Sequence, residues 1–139
     1  MRSILIALLA VVLAGVGCTS RPRGSTKPSG TPAIKERPRS TATVSLIEPA
    51  PGAVIAGGRL RVRLELTGGR VILETKTALQ PDEGHIHVLL DGKTVSMAYG
   101  LEQEVAVTKG PHLLQAEYVA ADHSPFNPRV IVAATIVVK

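Results

Sequence analysis

The strongest constraint on this chain is the run Gly84-His85-Ile86-His87-Val88-Leu89-Leu90-Asp91-Gly92, where Ile86, Val88 and Leu90 recur at every second position between two glycines. A period of two belongs to a pleated strand, whose successive side chains point to opposite faces. Ile86, Val88 and Leu90 therefore share the buried face, and His85 and His87 stand side by side on the other. The stretch is read as a half-buried strand with both imidazoles displayed outward.

The same period returns elsewhere. Arg59 to Leu66 places Leu60, Val62, Leu64 and Leu66 inward and Arg59, Arg61, Arg63 and Glu65 outward. That arginine stripe reads as a solvated face that guards a strand against edge pairing. Thr43 to Ile47, Val71 to Leu73, Lys93 to Met97, Leu101 to Val107, His112 to Ala120 and Val130 to Val138 are the other expected strands. Turn sequences separate them, among them Glu48-Pro49-Ala50-Pro51-Gly52, Asp91-Gly92 and Thr108-Lys109-Gly110-Pro111. Helix signals are absent after residue 42. Seven or so short strands in about 100 residues predict an all-β chain, an immunoglobulin-like β-sandwich over residues 42–139.

Ahead of that domain, Arg2 precedes an apolar run from Ile4 to Val16, and Gly17-Cys18 follows it. The run is shorter than the roughly 20 residues a membrane span needs, and its order of positive, apolar and small residues predicts an export signal over residues 1–17. Ala14-Gly15-Val16-Gly17-Cys18 resembles a bacterial lipoprotein cleavage box, with Gly15 where Leu is usual. Acylation of Cys18 would hold the domain at a membrane; ordinary secretion is the alternative. Residues 18–41, rich in Pro, Ser, Thr, Gly and Arg, are expected to form a disordered tether.

The net charge of +5 resides in that tether. Residues 19–41 carry six basic side chains against Glu36, whereas residues 42–139 carry nine basic and ten acidic ones. A near-neutral domain in a chain with 2% aromatic residues and no Trp lacks both the charge and the stacking faces of a nucleic-acid binder or a sugar platform. With Cys18 as its single cysteine, the chain has no internal disulfide framework.

Three stretches carry a resemblance. Ile47-Glu48-Pro49-Ala50-Pro51-Gly52-Ala53-Val54, Gly84-His85-Ile86-His87-Val88-Leu89-Leu90-Asp91, and Gly110-Pro111-His112-Leu113-Leu114 followed by Ala121-Asp122-His123-Ser124-Pro125 and Pro128-Arg129-Val130 resemble the small secreted bacterial domains of unknown function numbered 4399. The resemblance covers most of residues 44–138. It implies an immunoglobulin-like sandwich with a Gly-His-x-His strand and an Asp-His motif followed by prolines. Where that family often has further histidines, this chain has Tyr99 and Phe126. More distantly, the opening resembles the start of periplasmic copper-resistance domains, without the histidine those carry at the mature N-terminus.

All four histidines fall in the last 55 residues. His112 and His123 are 11 residues apart across one strand, an extended path of about 30 Å or more, so they do not share a site. In the expected sandwich the His85 strand and the strand from Leu113 to Ala120 are antiparallel neighbours. His85 then lies near His123, and His112 lies near Asp91 at the other end. His85, His87 and His123 are the candidate metal ligands, for zinc or copper, with a fourth position open to water, Asp122 or a partner. The alternatives are a structural cluster, with Asp122 and His123 closing a turn, and a pH-sensing or interface role. His112 reads as structural, fixing its Gly-Pro turn beside Asp91.

Catalysis finds little support. Ser124 adjoins His123 without a strand-turn-helix elbow, and phosphate or dinucleotide loops are missing. The expectation is therefore an exported, membrane-anchored envelope lipoprotein that binds and does not catalyse. Its partners would be a membrane through the lipid, a metal ion and an envelope protein, and not nucleic acid. The competing expectation is a structural or protein-interaction domain of an envelope complex.

Overall fold

The computed structural model describes residues 36–139; the expected signal segment, Cys18 and the tether as far as residue 35 lie outside the described residues. Nine strands follow in order: β1 (Thr43–Glu48), β2 (Val54–Ile55), β3 (Arg59–Thr67), β4 (Arg70–Val71), β5 (Glu83–Leu90), β6 (Lys93–Ser96), β7 (Glu102–Ala106), β8 (Gly110–Ala120) and β9 (Pro125–Val138). They form a three-stranded sheet in the order β1-β3-β7 and a larger sheet in the order β2-β9-β8-β5-β4, with β6 also paired to β5. This is the immunoglobulin-like sandwich that the alternating segments predict.

The core lies between the sheets. Leu60, Val62 and Leu64 of β3 face Ile86, Val88 and Leu90 of β5 and Leu114, Ala116 and Tyr118 of β8 in one buried cluster. Each such aliphatic side chain contributes roughly 1.5–3 kcal/mol by leaving water. Phe126 stacks on Tyr118 at a centroid distance of 5.2 Å, and both rings are buried in the core. Burial pushes the Tyr118 phenol up to about 12 and keeps it protonated. Its oxygen lies 2.9 Å from the Arg70 carbonyl and 2.7 Å from the Asp82 carbonyl, tying β4 and the approach to β5 onto β8.

Three expectations need correction. The arginine stripe does not guard an edge, because β3 is the middle strand of its sheet. Its arginines pair across the strands instead: Arg59 with Glu104, Arg61 with Glu102 at 2.8 Å, and Arg63 with Glu48 at 4.0 Å. The last strand starts at Pro125 and not at Val130. Prolines are tolerated there because β2 pairs only with Val137 and Val138, which leaves the first half of β9 as a sheet edge. Finally, the boundary between tether and domain does not fall at residue 41. Asn127 N donates to Pro38 O at 3.0 Å, and Ser40 Oγ and Thr41 N donate to Asp82 Oδ1 at 2.6 and 2.7 Å, so residues 37–41 belong to the fold.

Candidate metal centre

Register brings the histidines together. In the antiparallel pair β5 and β8, Gly84 faces Ala120, His85 faces Val119 and His87 faces Glu117. The turn that follows Ala120 therefore lies beside the start of β5. Its residue His123 adopts a left-handed backbone, φ 63°, uncommon for a side chain with a β-carbon, and its amide donates to Ala120 O at 2.9 Å. The chain folds back so that the His123 ring meets the two rings of β5.

Three ring nitrogens converge. His85 Nε2 lies 2.9 Å from His123 Nδ1 and 3.2 Å from His87 Nε2, and His87 Nε2 lies 3.4 Å from His123 Nδ1. None of these nitrogens bonds to a backbone carbonyl. A neutral imidazole nitrogen either carries a proton or offers a lone pair. In a triangle of three such atoms at least one edge must join two of the same kind, so protons alone leave the cluster frustrated. A single cation facing three lone pairs removes the conflict. A tetrahedral zinc ion with bonds of 2.0–2.1 Å places its nitrogen ligands about 3.3 Å apart, close to the separations observed. These three histidines could hold a metal ion as they stand.

The rings do not stand outward in solvent as the sequence reading has them. They point away from the core, yet His85 is 0% and His87 8% exposed. Two connections cover them. The segment after β4 is held by Ile72 N to Gly84 O at 2.8 Å and Lys76 N to Ala121 O at 3.1 Å, and it places Thr75 Oγ1 3.1 Å from His123 Nε2. The segment between β6 and β7 is held by the Gln103 amide, which donates to Ala98 O and Gly100 O, and it sets Tyr99 edge-on to His85 at 5.2 Å. Strand parity identifies which face a residue takes but not what a neighbouring loop lays over it.

Burial also sets the charge. It pushes the His85 imidazole down to about 4, helped by the neighbouring His123 and His87. His87 is lowered by burial and by His123, against the opposing effect of Glu117. At neutral pH both rings thus keep their lone pairs free, as metal binding requires. Glu117 is buried and bound by both arms of Arg129, at 2.6 and 2.7 Å.

The other singled-out residues occupy different places. Asp122 does not reach the triangle; Arg37 takes both its oxygens, at 2.6 and 2.9 Å, and holds its carboxyl below the usual range. His112 sits apart, with Nδ1 2.7 Å from Asp91 Oδ2 and Nε2 2.9 Å from Thr108 O. Asp91 Oδ1 accepts from Leu113 N at 2.9 Å, so this group ties the turn before β8 to the end of β5. Burial, hydrogen bonds and ring contacts add Thr75, Tyr99, Glu117 and Arg37 to the surroundings of the site. Of these, Glu117 carried a signal in the sequence, since its parity in β8 matches that of the histidine face, and Tyr99 did so by standing where the resembled family often has a histidine.

No family model matches the chain, and no curated protein matches it. Among solved structures it is similar to the fibronectin(III)-like modules of Clostridium thermocellum CbhA, with a TM-score of 0.50 and 19% identity over 70% of this chain and 46% of that one. It thus spans less than half the length of that protein. An engineered protein is similar at 18% identity and a TM-score of 0.47, over 70% of this chain and 20% of its own. At such identity the first likeness speaks to the fold alone, and that fold is an immunoglobulin-type β-sandwich.

Proposed function

We propose that this chain is a small metal-binding module of the bacterial cell envelope, with zinc or copper on His85, His87 and His123 and with Cys18 as its lipid anchor. The carrying observation is the convergence of three ring nitrogens at 2.9–3.4 Å. Three imidazoles with a fourth position left for water or an incoming ligand suit either ion. The burial of His85 favours the competing reading of a purely structural cluster. One feature weighs against that reading: one edge of the triangle has no donor-acceptor solution.

Calorimetric titration of the purified chain with zinc and with copper(II) tests the metal. One equivalent is expected to bind with submicromolar affinity, and His85→Ala, His87→Ala and His123→Ala are each expected to remove that binding. His112→Ala, at the other end of β8, is expected to bind as the parent does. Parent binding no tighter than millimolar would end the metal reading and leave a structural or protein-interaction domain. The anchor has its own test: Cys18→Ala is expected to shift the chain from the membrane pellet to the soluble fraction of a bacterial host. An unchanged distribution would refute lipidation at that residue.

A further inference from the structure

The turn that carries His123 is held by a residue from the supposed tether. Arg37 donates Nη1 to Asp122 Oδ2 at 2.6 Å, Nη2 to Asp122 Oδ1 at 2.9 Å and to Ser124 O at 2.8 Å, and Nε to Pro125 O at 2.9 Å. Those acceptors flank His123 on both sides and brace its left-handed backbone. Ser124 N donates back to Asp122 Oδ1 at 3.2 Å, so the guanidinium and the turn form one closed set of hydrogen bonds. From Arg37 the chain continues past Pro38, whose carbonyl accepts from Asn127, to Ser40, Thr41 and Ala42, all hydrogen-bonded to the Asp82 carboxylate. Asp82 immediately precedes β5. The segment 37–41 therefore runs from the turn that carries His123 to the head of the strand that carries His85 and His87.

We propose that this segment is a strap that sets the metal affinity of the site, with Arg37 as the positioning residue for His123. The inference rests on the metal reading above. A ligand set drawn from two elements binds an ion well only when those elements hold their spacing, and outer partners of that kind typically govern affinity by 10- to 100-fold. Linkage makes the effect reciprocal: if a docked strap favours the ion, a bound ion favours the docked strap by the same factor. Arginine suits the task because its planar fork meets a carboxylate with two parallel bonds while Nη2 also reaches the Ser124 carbonyl and Nε the Pro125 carbonyl, which a lysine cannot do.

The test uses the full chain with zinc for affinity and cobalt(II) as a visible-absorption probe of ligand geometry. Arg37→Gln is expected to weaken zinc by about 10- to 100-fold and to reduce the cobalt band. Arg37→Lys is expected to recover only part of either, and Arg61→Gln on the opposite sheet to change neither. Hydrogen exchange on the parent supplies the reciprocal reading: zinc is expected to slow the amides of Thr41 and Ala42, which dock the end of the strap on Asp82, and of Asn127, which donates to Pro38. Should Arg37→Gln not fold, the parent exchange alone decides, and protection unchanged by zinc overturns the strap. Zinc affinity in folded Arg37→Gln equal to the parent's overturns it too, with the metal site left standing. A parent that binds neither ion removes the metal reading and the coupling together.

Discussion

Gly84→Ala is expected to destabilise the fold by at least about 3 kcal/mol. A β-carbon at that position overlaps the Val119 carbonyl oxygen, lies 2.8 Å from the carbonyl carbon and 3.3 Å from Ala120 Cα. These are backbone atoms of the neighbouring strand, and they cannot rotate aside as the end of a flexible side chain can. The substituted chain has to part β5 from β8 at the end where Gly84 faces Ala120 and His85 faces Val119. That movement also separates His85 from the turn that holds His123, so metal binding is expected to fall with stability. Gly92→Ala is the comparison. Nothing lies within 4 Å of its added carbon, and only its left-handed backbone, φ 78°, resists, at a cost of about 1–2 kcal/mol. Urea denaturation measures both, and a Gly84→Ala midpoint as high as that of Gly92→Ala would refute the close approach.

The metal-free protein is expected to lose stability steeply between pH 6.5 and pH 4. His85 titrates at about 4 in the fold, against about 6.5 in an unfolded chain. Between those values the unfolded state binds more protons than the native state, so stability rises with pH across the window. The contribution is complete above about 6.5 and is lost as pH falls toward about 4, and for His85 it amounts to roughly 2–3 kcal/mol. His87, lowered by burial as well, adds to the slope in the same direction. Denaturation at pH 7.5 and pH 4.5, after chelator treatment, measures the loss, and His85→Gln is expected to flatten it. Equal slopes in parent and His85→Gln would sink the assignment. Saturating zinc is expected to steepen the dependence, because protons compete with the ion for the same lone pairs.

Much of this molecule is legible in its residues for a definite reason. Alternation in β3, β5 and β8 records which side chains leave water, and neighbouring strands in a sandwich then place Ala120 next to Gly84. From that register the approach of His123 to His85 follows. The unread parts have no periodic signature. β2 is two residues, too short to alternate, and of the strand expected over Val71 to Leu73 only Val71 pairs, in the two-residue β4. Pro125 and Pro128 argue against a strand unless one knows that β9 is an edge there. Arg37 meets Asp122 across 85 residues of sequence, within a segment whose composition reads as solvated coil. The cover over His85 depends on loops held by a few non-periodic hydrogen bonds, such as the two from Gln103, which leave no pattern along the chain.

The cross-strand pairs of Arg59 with Glu104, Arg61 with Glu102 and Arg63 with Glu48 have a consequence for encounters in solution. Each pair cancels within a few ångström, whereas the field of an unpaired charge reaches about 8 Å at physiological ionic strength. Seen from beyond that distance, these pairs drop out, and of the outward charges of β3 Glu65 alone still shows its sign. Charged solutes meet it with little steering, and added salt changes their rate of arrival at that face only slightly.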